Sequence, residues 1–179
     1  FTLSSFLVTT LALREVDATG RLRLGNFWMR RLRRLLPASL LVLALIVLIV
    51  DQASKWAVVF WLNLDQRVEI DVFPPYLVFR MAWNYGMNFG LMAQGSNLGR
   101  AVLIGLALVI SAWVWVWVQR EKSGLRAQVA AGLMIGGALG NVIDRILYGA
   151  VADFLNMSCC GIDNPYAFNV ADVSIFFGL

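Results

Sequence analysis

Four carboxylates, Asp51, Asp144, Asp153 and Asp172, stand in or at the ends of apolar stretches. A carboxylate in a membrane interior costs several kcal/mol unless something holds it, so the default reading is functional. Asp51 precedes Lys55 by four residues and shares a helix face with it, which allows a self-satisfied ion pair. Asn141, Asp144 and Arg145 lie at i, i+3 and i+4 and form a second polar face. Asp153, in VADF, and Asp172, in FNVADVSI, have no basic neighbour in sequence. Two such groups brought close together repel and lose solvent, so one holds its proton and the pair titrates as a unit. One carboxylate can then take a proton from water while the other protonates a carbonyl, which is peptide hydrolysis without imidazole or metal. The same groups could instead coordinate or carry ions, and spacing leaves both readings open. The chain has no histidine. That removes His-dependent triads, HExxH zinc sites, His-ligated haem and imidazole bases. Cys159 and Cys160 are adjacent and cannot make a four-ligand metal site or a disulfide framework. They read as loop residues without a catalytic role, with a vicinal disulfide as one option. No metal or cofactor is expected.

These carboxylates need a scaffold that sets them at one depth. Of 179 residues, 60% are hydrophobic and 15% charged, and mean hydropathy is +0.72. An average soluble domain has about 45–50% apolar and about 25% charged residues, so this composition points to a membrane protein. Residues 1–34 carry seven arginines against Glu15 and Asp17, a net of +5, while residues 35–179 sum to −1. A first span starts near Pro37 and runs through Asp51 to about Trp61. Residues 67–73, RVEIDVF, alternate polar and apolar like a strand, Pro74-Pro75 forces a turn, and residues 76–83 read as a second strand. A second span covers 101–118, with Trp113, Trp115 and Trp117 as an interfacial belt. A third covers 127–147, where Gly132, Gly136 and Gly140 form a stripe for close helix approach. Residues 148–167 read as a loop. A fourth apolar run starts near Phe168. Basic residues before the first span and between the second and third predict a cytoplasmic N-terminus and middle loop, with 62–97 and 148–167 outside. All four carboxylates then fall at the outer ends of their spans.

Taken in order, DQASK (51–55), WNYGMNFG (83–90), GGALGNVIDR (136–145), VADF (151–154) and FNVADVSI (168–175) resemble signal peptidase II over about residues 40–179. The resemblance implies an all-α polytopic membrane protein. It would be a four-helix transmembrane bundle, its fourth helix cut short, with a small extracytoplasmic β segment. It implies an aspartic endopeptidase of the bacterial inner membrane, its active site toward the periplasmic face. The enzyme would cleave signal peptides from diacylglyceryl-modified prolipoproteins just before the lipobox cysteine. Prolipoproteins and membrane lipids would be its partners, without nucleic acid. By motif, Asp153 and Asp172 match the catalytic pair. Asp51, Lys55, Asn84, Gly86, Asn141, Asp144, Arg145 and Asn169 match residues that bind substrate or support the site. Asn88 departs from the small residue usual at that point in the family. Seven residues follow Asp172, less than half a span.

Residues 6–38 resemble a segment of the acyltransferase-3 family, in which a helix end leads into a basic loop. Catalysis in that family relies on histidine, which this chain lacks, so the segment would supply membrane association alone. The expected organisation is a basic amphipathic N-terminal segment, 1–36, and a protease domain, 37–179. The chain begins at Phe1 and ends at Leu179 inside an apolar run, which reads as a fragment of a longer protein. The competing expectation is a non-catalytic or truncated membrane protein whose carboxylates bind or carry ions.

Overall fold

Inside a bilayer the backbone finds no water, so long uncharged apolar segments satisfy their N–H and C=O groups as helices. The computed structural model describes residues 9–10, 13, 24–86, 97–121, 124–159 and 164–179, with 24–37 described as helical backbone. Helix α1 spans Leu24–Trp56 and continues as a π-helical turn, Ala57–Trp61. A four-residue helix α2, Leu64–Arg67, leads into strands β1, Glu69–Phe73, and β2, Leu77–Asn84. Helices α3, Asn97–Arg120, and α4, Leu125–Leu147, follow. Strand β3, Val151–Asn156, and helix α5, Val170–Gly178, complete the described chain.

The protein is mostly helical and has three segments long and apolar enough to cross a membrane: Ala38–Trp61, Asn97–Arg120 and Leu125–Leu147. At 1.5 Å per residue, 24 residues exceed the roughly 30 Å hydrocarbon core. The outward faces stay apolar, with Leu106, Val109 and Trp113 exposed, as a lipid-facing surface requires. Trp113 and Trp117 stack with ring centroids 6.3 Å apart.

The first span starts at Ala38, beside Pro37 as the sequence suggests, but the helix itself does not: α1 begins at Leu24 and carries the proline in its interior. Pro37 lacks the N–H for an i−4 bond, and the helix runs on into the first span despite that loss. The basic residues Arg14, Arg21 and Arg23 lie outside the described residues.

The sheet is antiparallel in the order β1-β2-β3, and its first two strands stand where the alternating pattern put them. The third is a correction, since 151–156 is a strand and not loop. Its six residues are buried on both faces apart from a half-buried Leu155, so no period-two pattern marks it in sequence. β3 pairs with β2, with Ala82 opposite Asp153, and so joins the site to the surface hairpin.

The glycines of α4 set the helix spacing. A Cβ on Gly136 would sit 2.6 Å from the Ala44 carbonyl oxygen and 2.7 Å from Val47 Cβ of α1. A Cβ on Gly137 would sit 2.5 Å from the Ala171 carbonyl of α5, and one on Gly140 would collide with the Asp51 carboxylate. Leu40, Ala44, Val114, Val118, Ala131 and Ile135 fill the space between α1, α3 and α4. Gly136→Val is therefore expected to force α1 and α4 apart at a cost of about 1–3 kcal/mol or more. Gly105→Ala, with nothing within 4 Å of the new Cβ, should leave stability unchanged or raise it slightly. Thermal unfolding of both variants in detergent checks the contrast, and equal midpoints would show that the stripe does not set the packing.

Candidate active site

Asp51 and Lys55 pair along α1, with Lys55 Nζ 2.8 Å from Asp51 Oδ2. The same ammonium reaches across to α4, where it donates to Asn141 Oδ1 at 3.2 Å and forms an ion pair with Asp144 Oδ2 at 2.7 Å. Its three hydrogens thus face two carboxylates and an amide oxygen. Asp51 is fully buried, Asp144 is 1% exposed and Lys55 5%. Both carboxylates also accept from backbone N–H groups. Asp51 Oδ1 accepts from the Ala171 backbone N–H at 2.9 Å, in the first turn of α5, where the helix dipole favours a carboxylate. Asp144 Oδ2 accepts from the Ala152 N–H at 3.3 Å, at the start of β3.

Gln52, which the sequence reading did not assign to the site, closes this cluster. Its Nε2 donates to Asp144 Oδ1 at 2.8 Å, Asp51 Oδ2 at 3.2 Å and the Gly140 carbonyl at 3.3 Å. The available signal was a lone amide beside Asp51 in an apolar run, a placement that costs free energy when unsatisfied.

The second pair sits on the other side of Asn141. Asp153 projects from β3 and is 3% exposed. Its Oδ1 accepts from Asn169 Nδ2 at 2.6 Å and its Oδ2 from Asn84 Nδ2 at 3.0 Å. Asn84 is oriented in turn by the Gly86 N–H, which donates to its Oδ1 at 2.9 Å. Gly86 has φ +98°, a conformation suited to glycine. Asp172 Oδ1 accepts from Asn141 Nδ2 at 2.9 Å. Asp172 and Asn169 form a reciprocal capping box at the start of α5: the Asp172 N–H donates to Asn169 Oδ1 at 2.9 Å, and the Asn169 N–H to Asp172 Oδ2 at 3.2 Å. Asn169, fully buried, thus touches both carboxylates and also donates to Asn141 Oδ1 at 3.3 Å.

Local backbone pairing places Asn169. The Phe154 and Leu155 N–H groups donate to the Phe168 carbonyl at 3.0 and 2.8 Å, and the Phe168 N–H returns to Leu155 at 2.9 Å. Asn156 Nδ2 holds the approaching chain through the Asn164 and Tyr166 carbonyls. Burial pushes the Asp153 carboxyl up to about 6, and the charge of Asp172 adds to it. Hydrogen bonds from Asn84 and Asn169 and the charge of Lys55 oppose the rise.

All ten residues singled out in the sequence fall in or beside this network. Arg145 is the least fixed: its guanidinium donates to the Asn141 carbonyl at 3.2 Å, and its Nε is buried without a partner among the described residues. It faces the charges of Asp153, Asp172 and Asp144. Arg145 and Asn141 also form the polar end of an apolar cavity of about 410 Å³ between α3, α4 and α5. Asn88 and Cys160 lie outside the described residues, and Cys159 is exposed.

The two classes of ion pair should respond differently. Lys55→Met leaves two buried carboxylates without their cation and is expected to cost about 3–5 kcal/mol. Arg80→Ala removes a half-exposed pair with Glu69, 2.9 Å apart, and should cost no more than about 1 kcal/mol. Thermal unfolding in detergent compares them. Equal losses would mean that the buried ammonium does not hold the helices.

The comparisons with known proteins bear on the same residues. The family model "Signal peptidase (SPase) II" matches residues 43–179. A lipoprotein signal peptidase of Methylobacterium sp. (strain 4-46) is 37% identical over 139 residues, covering 78% of this chain and 82% of the relative. That of Methylorubrum extorquens (strain PA1) is 41% identical over 139 residues, covering 78% and 80%. That of Neisseria meningitidis serogroup C (strain 053442) is 35% identical over 137 residues, covering 76% and 82%. A solved bacterial membrane enzyme superposes with TM-score 0.68 at 28% identity, over 79% of this chain and 87% of its own. The polar network therefore lies within a multi-pass membrane protease, and the chain belongs to the signal peptidase II family.

Proposed function

We propose that this protein is an aspartic endopeptidase of the bacterial inner membrane with Asp153 and Asp172 as its catalytic pair. It cuts signal peptides from prolipoproteins just before a diacylglyceryl-modified cysteine. One observation carries the assignment: a single buried residue, Asn169, donates to both carboxylates, from its side-chain amide to Asp153 and from its backbone N–H to Asp172, at one end of the membrane-length helices. The other two buried carboxyls are occupied by Lys55, which leaves Asp153 and Asp172 for chemistry.

A water molecule between the pair is activated by Asp172, which takes its proton as the oxygen attacks the scissile carbonyl. Asp153, with its raised proton affinity, protonates the carbonyl oxygen. Collapse of the tetrahedral intermediate returns that proton to the catalytic pair, and protonation of the amide nitrogen breaks the C–N bond. The partnerless Nε of Arg145 can receive a substrate carbonyl, and the apolar cavity beyond it suits a signal-peptide helix or acyl chain. α5 is the start of a fourth span that completes a four-helix bundle. The β1–β2 hairpin and the catalytic pair face the periplasm, and the α3–α4 connection, with Arg120 and Arg126, faces the cytoplasm. Residues 1–36 are a basic segment that leads through α1 into the protease of 37–179, and its partner is anionic lipid, not nucleic acid. An ion carrier is not favoured, because the signal peptidase II match spans all four carboxylates.

The direct test incubates the chain in detergent with a diacylglyceryl-modified lipobox substrate. Release of the signal peptide is expected from the parent. Asp153→Asn and Asp172→Asn should each lose at least about a thousandfold in kcat while keeping their helical circular dichroism. Parental rates in either variant would sink the assignment.

The pH profile offers a second test. The acid form of Asp153 is present below about 6, so kcat/KM should fall as pH rises through the upper titration of the pair. The Asn84 amide stabilises the carboxylate, so Asn84→Leu raises the proton affinity of Asp153 and moves that alkaline limb to higher pH. A limb that stays in place or moves to lower pH would contradict the role of Asp153 as acid.

A further inference from the structure

The far side of the Lys55 cluster forms the floor of a second cavity, of about 250 Å³, which shares no lining residue with the larger one. Gln52, Lys55 and Asp144 contribute the floor, and Phe60, Trp83 and Tyr148 stand around it. The Lys55 ammonium in the floor is shared between Asp144 and, behind it, Asp51, so the floor offers a guest the Asp144 carboxylate with its counter-charge divided. The Gln52 amide nitrogen is engaged three times, but its Oε1 meets no donor among the described residues and is not sealed from solvent. An N–H donor from a guest would complete it.

The walls point to the same chemistry. The Phe60 and Tyr148 rings lie 6.5 Å apart, centroid to centroid, and the Trp83 and Tyr148 rings 5.9 Å. Trp83 Nε1 donates to Asp65 Oδ1 at 3.1 Å, so Trp83 offers the cavity its ring and not its N–H. Aromatic faces above a carboxylate and an amide oxygen attract an organic cation. The cavity sits at the last turn of the first span and just past α4, at headgroup depth, beside the exposed apolar Trp61 and Leu147. These surroundings favour a guest that arrives from the lipid.

We propose that this cavity binds the primary ammonium of an aminophospholipid headgroup, seated over Gln52 and Asp144 and ringed by Phe60, Trp83 and Tyr148. The proposal does not depend on the protease assignment.

Native mass spectrometry of the detergent-purified chain tests it, with short-chain phosphatidylethanolamine, phosphatidylcholine and phosphatidylglycerol as probes. Phosphatidylethanolamine should be retained over both others. Phe60→Leu and Tyr148→Leu, at exposed positions, should each weaken its retention roughly threefold to fivefold without changing that of phosphatidylglycerol. Unfolding midpoints identify any variant that fails to fold, and the other then carries the comparison. Equal retention of the three lipids by the parent, or an unchanged preference in a folded variant, would overturn the proposal. Free ethanolamine competing as strongly as the phospholipid would overturn the lipid assignment.

Discussion

An ammonium buried among apolar helices needs three acceptors, and the molecule is organised around how Lys55 finds them. Asp51 is on its own helix, and Asp144 and Asn141 are on α4. Bonds between the two helices fix their rotation as well as their distance, which apolar contact alone does not. Each carboxylate also accepts from a backbone N–H elsewhere. Asp51 takes that of Ala171 in α5 and Asp144 that of Ala152 in β3. One buried cation thereby sets the entry of α5 and β3, the two elements that carry Asp172 and Asp153. In a buried setting the loss of one partner strands the charge of the other, so the arrangement is held as a unit.

Amides carry this order to the proposed catalytic pair. Asn141 accepts from Lys55 through its oxygen and donates to Asp172 through its nitrogen. Asn169 caps α5 and at the same time bonds both Asp153 and Asp172. Neutral donors stabilise the carboxylates without supplying a permanent counter-charge. Asp153 can therefore remain high enough in proton affinity to act as an acid near neutral pH. A lysine in that position would instead give the carboxylate a fixed positive partner, as Lys55 does for Asp51 and Asp144.

Close approach makes these bonds geometrically available. The glycines of α4 admit the backbone carbonyl of Ala44 on one face and that of Ala171 on another. At Gly140 the missing side chain is what leaves room for the Asp51 carboxylate. The small residues thus serve packing and polar contact together, which explains why the stripe ends where the charged cluster begins.

Much of this could be read from the chain. Three long apolar stretches can be satisfied only as helices, and the strict alternation of 67–73 followed by two prolines reads as a hairpin. Asp51 and Lys55, four apart, pair as helical geometry requires, and the absence of histidine left the chemistry to carboxylates, amides, hydroxyls, Lys, Arg or Cys. Tertiary structure decided the rest. β3 has no alternating pattern because both its faces are buried, so its pairing with β2 was not visible locally. Gln52 gains meaning only through Asp144 and Gly140, some ninety residues away. That Lys55 serves Asp144 while Asp153 and Asp172 share Asn169 is likewise a property of four elements meeting. Period and composition determine which faces are apolar, but a buried polar atom takes its partner from whatever the packing of distant segments brings within hydrogen-bond reach.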